Sequence, residues 1–198
     1  MRRTMAPVLG LALALATPVM AAETWVADSA HSEITFRVRH MMISKVSGRF
    51  REFGATLQLD PAKPEASSIE VKVKTASIDT NQPDRDKHLR SGDFFETEKF
   101  PEMTFKSSKI VGTSKDHFDV TGTLTLRGVS KEITVPVAFS GFIKDSRGGE
   151  HGGFEAAFTV NRKEFGLVYN SPLETGGVMI GEDVEVSLMM EIKKKPAA

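Results

Sequence analysis

The stretch "DTNQPDRDKHLRSGDFFETEKFP", residues 79–101, holds the densest run of reactive side chains in this sequence. Arg85, Asp86 and His88 stand close together, and Phe94 and Phe95 follow side by side. An imidazole near a carboxylate can serve as a general base, and a guanidinium can grip a phosphate or carboxylate. Three readings compete: a catalytic constellation, a ligand gate, or a capped connector. Local signals favour the connector. Thr80 or Asn81 can cap a helix whose first turn holds Pro83, and Asp84 and Asp86 suit its positive end. Gly92 can stop it in a left-handed conformation. These residues predict a short helix over 82–91, on which Asp84 and His88 share one face and Arg85 and Leu89 another.

Other reactive side chains are scattered. Asp28, His31 and Ser32 have triad types, but there is no "GxSxG" elbow, and closeness in sequence is not triad geometry. A structural role at the start of a strand is the simpler expectation. The five histidines lack HxH or HExxH spacing, so no metal site is expected. Arg162, in "NRKEFG", can take an anionic head group or pair with Asp86 or Glu164. Without cysteine, disulfides and thiolate metal sites are excluded. No cofactor is expected.

The elements that position these groups read almost entirely as strands. "SEITFRVRH" puts Ile34, Phe36, Val38 and His40 on one face, with charged and polar residues on the other. "VSGRFREFGATLQLD" changes parity, which predicts a bulge near Arg51–Glu52. "SSIEVKVKTAS", "EMTFKSSKI", "HFDVTGTLTLRG", "KEITVPVAFSGFIK", "GFEAAFTVNR" and "GEDVEVSLMMEIKK" alternate in the same way. Pro136, on the polar parity of its strand, points to a bulge or an edge-like position. Eight half-apolar strands joined by short turns predict an all-β fold. A closed, antiparallel up-and-down barrel suits it best, with a β-sandwich as the alternative.

The first 21 residues read as a secretory signal peptide, with Arg2 and Arg3 before an apolar run and small residues at 19 and 21. Residues 22–198 are then expected as a single domain, exported to the periplasm. Basic and acidic residues number 26 each, so nothing electrostatic draws the chain to nucleic acid. The sequence leaves transient membrane contact and a homodimer open.

"DSAHSEITFRVRHMMISKVSGRF", "RDKHLRSGDFFETEKFPEMTFKS", "GTLTLRGVSKEITVPVAF" and "GFEAAFTVNRKEFG", in this order and spacing, closely resemble the YceI-like family over residues 24–194. Arg85, Asp86 and His88 match that family's motif. The resemblance implies a lipocalin-like eight-stranded antiparallel barrel whose apolar pore holds a polyisoprenoid or an isoprenoid-tailed quinone. It implies a lipid carrier, store or sequestering protein rather than an enzyme. An enzyme acting on a prenyl lipid and a packed, stress-related interaction module remain the alternatives.

Such a site is a surface, not a motif. Burial is worth about 0.8 kcal/mol per CH₂, hence up to roughly 4 kcal/mol per isoprene unit. The candidate lining is Ile34, Phe36, Val38, His40, Phe50, Val71, Val73, Met103, Phe105, Leu124, Val135, Val137, Phe139, Phe158, Leu188 and Met190. Arg85, His88 and Arg162 are candidates for the mouth, and Phe94 and Phe95 for a gate. His40 continues an apolar face to a strand end, where it either meets a head group or bonds a turn carbonyl.

Overall fold

Alternation of apolar and polar side chains drives more than half of the described residues into strands. The computed structural model describes residues 22–60, 62–174 and 176–196. The expected signal peptide lies outside them. The strands are β1 (Glu23–Ala27), β2 (Glu33–His40), β3 (Ser44–Phe50), β4 (Phe53–Leu59), β5 (Ser68–Lys74) and the short β6 (Ile78–Asp79). Helix α1 (Pro83–Arg90) follows, then β7 (Glu102–Ser114), β8 (His117–Leu126), β9 (Val129–Lys144), β10 (Glu150–Asn161) and β11 (Ile180–Lys194). No helix among the described residues is long and apolar enough to cross a membrane.

These segments fill eight positions of one closed antiparallel barrel. β11 pairs with β1 near its end (Trp25 opposite Lys194) and with β2 over the rest (Ile34 opposite Leu188). β1 and β2 are thus one barrel strand interrupted at 28–32. Their neighbours β4 and β3 are likewise one strand, broken at Arg51–Glu52, where the parity change predicted a bulge. The break at 28–32 is tied down locally. Asp28 N–H donates to Glu191 O at 2.8 Å, and the Ser32 hydroxyl exchanges hydrogen bonds with the Glu191 backbone. Asp28 also accepts from Ala30 N–H. Asp28 and Ser32 therefore hold a strand junction.

The antiparallel order gives the barrel two distinct ends. One end carries the β2–β3 hairpin, the 75–101 connector with α1, the β8–β9 turn and the segment 162–179. The opposite end carries Trp25, Ile192 and the β9–β10 turn. The fully buried apolar residues gather toward these ends. Trp25, Leu57, Leu59 and Ile192 pack at one, and Phe94, Leu126, Phe165 and Leu167 pack at the other. A third group, Ile34, Phe50, Val73 and Ile78, lies beneath the connector.

The helix forms where expected but with different caps. It runs 83–90 rather than 82–91. The Gln82 side chain, not Thr80 or Asn81, accepts from Asp84 N–H at 3.0 Å. Thr80 is occupied elsewhere, because its N–H and hydroxyl both donate to the buried Asp86 carboxylate. Gly92 does not adopt a left-handed stop. The helix ends at an extended Ser91, whose hydroxyl and N–H both return to His88 O. Asp79 anchors the connector to the barrel. It accepts from Asn81 N–H, Arg51 and Arg49, which hold its carboxyl at about 2. Arg90 fastens the far side, donating to Ala76 O and Ile78 O at 2.8 and 2.7 Å.

Pro136 stands in β9 opposite Asp119 of β8. The β9–β10 ladder runs from Lys144–Glu150 only as far as Val137–Ala156. Pro136, which has no N–H to give, thus sits where that ladder stops, an edge-like position inside a barrel.

Two features of the fold give measurable consequences. His151 bridges Glu191 (2.9 Å) and Asp145 (3.2 Å), clamping the β9–β10 turn to β11. Hydrogen bonds to Glu191 and then Asp145 raise its pKa above the ordinary 6.5. The charged clamp therefore contributes fully below 6.5 and is lost as pH rises through the raised folded value. Melting curves of wild type and His151→Gln should differ most on the acid side of this window and converge above it. Second, Met41 and Met42 at the β2–β3 tip both have positive φ, 50° and 64°, and Ile43 N–H returns to His40 O at 3.2 Å. Consecutive left-handed residues are the signature of a turn that prefers Asn-Gly, and side chains there cost about 1 kcal/mol or more each. The double variant M41N/M42G should raise unfolding free energy by about 1 kcal/mol, read from the denaturant midpoint.

Candidate functional site

Inward side chains of the barrel do not meet at its centre. They surround a cavity of about 440 Å³, within the range of roughly 300–1,000 Å³ typical of small-ligand sites. β2 supplies Ile34, Phe36, Val38 and His40, with Phe50 from β3 and Val71 and Val73 from β5. Met103 and Phe105 come from β7, Leu124 from β8, Val135 and Val137 from β9, Phe158 from β10, and Leu188 and Met190 from β11. Many of these, including Phe36, Val38, Phe105, Leu124, Phe158 and Leu188, are only half-buried although they face inward. In a packed barrel they would be fully covered by one another.

Two glycines shape this wall. A Cβ on Gly48 would lie 2.3 Å from the Phe36 ring, and one on Gly122 would lie 2.7 Å from the Phe105 ring and 2.5 Å from Lys106 O. Each glycine lets a phenylalanine lie flat against the neighbouring strand. The rings line the cavity instead of filling it.

Phe139 is a correction. It has the inward parity of Val135 and Val137, yet it does not line the cavity. It stacks on Phe154 (5.0 Å) and Phe142 (4.7 Å), and Phe142 packs on Trp25 (4.9 Å). These rings make an aromatic stack, and Phe154 is its lining member. The ladder slips one residue between Phe139–Phe154 and Gly141–Gly153, so the parity of β9 no longer tracks the cavity beyond this point.

Polar groups reach the cavity mainly at the connector end, where Arg39, His40, Thr80, Arg85, His88, Arg162 and Tyr169 lie. Their commitments differ. Arg162 is 4% exposed and spends its guanidinium on backbone, donating to Gly181 O (2.8 Å), Ile180 O (3.3 Å) and Leu167 O. Burial lowers its pKa, opposed by Glu182. The expected pairing with Asp86 or Glu164 does not occur: Asp86 is held by Thr80, and Glu164 meets Lys131 at 3.2 Å. A buried arginine wrapped in carbonyls fixes the 162–181 segment. Arg85 donates Nε to the Thr80 hydroxyl (2.8 Å) and Nη2 to Thr80 O (2.9 Å). Its Nη1 has no partner among the described residues. The His40 imidazole also makes no hydrogen bond to a described residue; only its backbone carbonyl serves the turn.

His88 and the two phenylalanines form one unit. His88 Nε2 lies 2.8 Å from Asp93, and its ring stands edge-on to Phe94 and Tyr169 at 5.0 and 4.9 Å. Phe94 is 5% exposed, and Phe95 meets Phe50 edge-on at 5.8 Å. Both line the cavity. They close the connector end as a packed plug whose inner surface faces the cavity. Sequence reasoning missed Leu167, Tyr169, Met179 and Ile180, which also line this end. They sit in or beside a segment without alternation, and the one signal available was the lone tyrosine in "GLVYN".

One further grouping brings donor atoms together. Asp28, His31 and Glu191 lie with ligand atoms within 4.8 Å of one another, the one such set among the described residues. Lys193 already places its ammonium 3.5 Å from Asp28, so a cation stands there without a metal.

Comparison with known proteins agrees with this architecture. Residues 25–192 match the YceI-like domain. A UPF0312 protein of Azotobacter vinelandii is 40% identical over 169 residues, covering 84% of this chain and 88% of that protein. The crystal structure of the Campylobacter jejuni YCEI protein is 32% identical, with a TM-score of 0.69 over 80% of this chain and 90% of the other. A polyisoprenoid binding domain from Saccharophagus degradans, implicated in plant cell wall breakdown, shares the fold. It is 16% identical, with a TM-score of 0.65 over 89% of this chain and all of that one. Because the family match runs from the first barrel strand into the last, and the Azotobacter relative is similar along most of both chains, this chain belongs to the YceI-like family.

Proposed function

We propose that the protein holds a long apolar lipid in its barrel, a polyisoprenoid or an isoprenoid-tailed quinone, and carries, stores or sequesters it in the periplasm. The observation that carries this reading is the unfilled, apolar cavity with its polar groups gathered at one end. That polarity suits an amphiphile lying tail-inward with its head near His40, Arg85 and Tyr169, which keep hydrogen-bonding capacity. The Saccharophagus domain, described as polyisoprenoid binding, supports the ligand class by its shared fold. The sequence of residues 1–21 supports the location.

The energetics are sufficient. Association costs on the order of 4–15 kcal/mol. Each buried isoprene unit returns up to roughly 4 kcal/mol. Three or four buried units would therefore hold the lipid with little help from the head group. Binding is favoured over turnover because the His40 imidazole meets neither a carboxylate nor a hydroxyl among the described residues. The one hydroxyl of the connector that reaches the cavity, on Thr80, is spent between Asp86 and Arg85.

A cavity-filling variant tests the reading. Val186 faces the cavity between Phe36 and Phe158 on the neighbouring strands. Val186→Trp should fold with near-wild-type stability, because it grows into empty space, and should weaken binding of a polyprenol by on the order of tenfold or more. Equal polyprenol binding by the variant and wild type, in a fluorescence-competition titration, would count against an interior site. In the same titration His40→Ala should leave binding of a headless prenyl hydrocarbon unchanged and weaken that of a prenyl lipid with a polar head. Equal effects on both would make His40 structural.

A further inference from the structure

We propose that the β2–β3 hairpin tip, Met41–Ile43, is a membrane-inserting probe that brings the plugged connector end of the barrel onto a phospholipid bilayer. This rests on the lipid-binding reading of the cavity and adds where the lipid is exchanged. The tip holds three consecutive apolar residues that are 42%, 52% and 83% exposed. A soluble surface tolerates single exposed apolar side chains, but a run of three at a protruding turn is unusual. The backbone makes the choice more pointed. Met41 and Met42 occupy left-handed conformations, where Asn-Gly would be less strained. Strain retained at a surface turn marks a position chosen for something other than stability.

The tip borders the cavity's connector end. His40, just before it, lines the cavity, as does Met179, whose carbonyl accepts from Met41 N–H at 2.7 Å. Val168, 61% exposed, is in the same end's 162–179 segment.

The chemistry of the tip selects a bilayer as the occupant. A single three-residue turn offers far less than the roughly 800 Å² per partner of a stable protein interface. Unbranched thioethers adapt to a fluid phase rather than to one fixed pocket. Behind the tip, Arg37 and Arg39 are exposed on β2 and form no salt bridge among the described residues, and Arg39 donates to Met42 O at 3.3 Å. An apolar point backed by two exposed guanidiniums, with Glu185 near both, matches acyl chains beneath a phosphate layer.

The test uses vesicles of equal parts phosphatidylethanolamine and phosphatidylglycerol, with and without undecaprenol as probe lipid. Wild type should float with probe-free vesicles, and M41N/M42G and Ile43→Asp should float on the order of tenfold less. Transfer of undecaprenol from vesicles should slow by a similar factor in both variants, while its uptake from detergent micelles stays at the wild-type level. M41N/M42G removes turn strain, so its loss of flotation cannot be misfolding. Wild-type flotation of both variants, or no flotation by wild type, overturns the docking role. If wild type floats and the variants do not, yet none takes undecaprenol from micelles, the docking role stands and the cavity reading fails instead.

Discussion

Closure of the sheet through β11 is the constraint on which the rest depends. β11 must pair with β10 on one side and with an interrupted β1–β2 strand on the other. The Asp28–Glu191 and Ser32–Glu191 hydrogen bonds carry the ladder across that interruption. Once the ring is closed, the ladder is interrupted along the β9–β10 seam beyond Val137–Ala156. Every second side chain is committed to a shared interior. What happens there is decided by side-chain volume. Glycines at 48 and 122 let Phe36 and Phe105 lie against the wall, and valines dominate β5 and β9. Hydrophobic packing is therefore concentrated at the two ends, with a cavity between them.

The two ends do different work. At the far end Trp25, Phe142, Phe139 and Phe154 pack together, and Glu155 beside Phe154 is the ionisable residue of the lining on that side. At the connector end the chain spends arginines to build a polar rim over an apolar shaft. Arg162 and Arg90 satisfy backbone carbonyls, and Arg127 donates to Gly92 O and Gly166 O, tying the connector to the 162–179 segment. These groups are structural because their donors are used. Arg85 and His40 retain capacity, and the same end carries the strained apolar tip. Stability is conceded at the rim, where a ligand and a surface would meet the protein, and not in the wall that holds the shape.

Much of this was legible in the residues. Period-two alternation found the eight long strands, the parity change at Arg51–Glu52 marked the broken strand, and Pro136 marked the end of a ladder. β1 was invisible because its five residues are too few for alternation to register. The caps of α1 were misread because Thr80 has two suitors, the helix N-terminus and Asp86, and only tertiary structure brings Asp86 inward. Phe139 keeps its inward parity, but parity gives a face and not a depth, and at the far end it is covered by Phe154 and Phe142. The partners of Arg162 are backbone carbonyls, which no side-chain pattern can announce. Alternation also reports which face a side chain is on, never whether another stands opposite. The emptiness of the barrel was therefore beyond the sequence, and the family resemblance alone pointed to it.

The central claim is that this interior is kept open for hydrocarbon. Native mass spectrometry of the protein purified from its own cells without detergent tests it most directly. The account predicts a species heavier than the bare chain by one lipid, which disappears on organic extraction and returns a prenyl chain in the extract. Only the bare mass, with no lipid extracted, would contradict it.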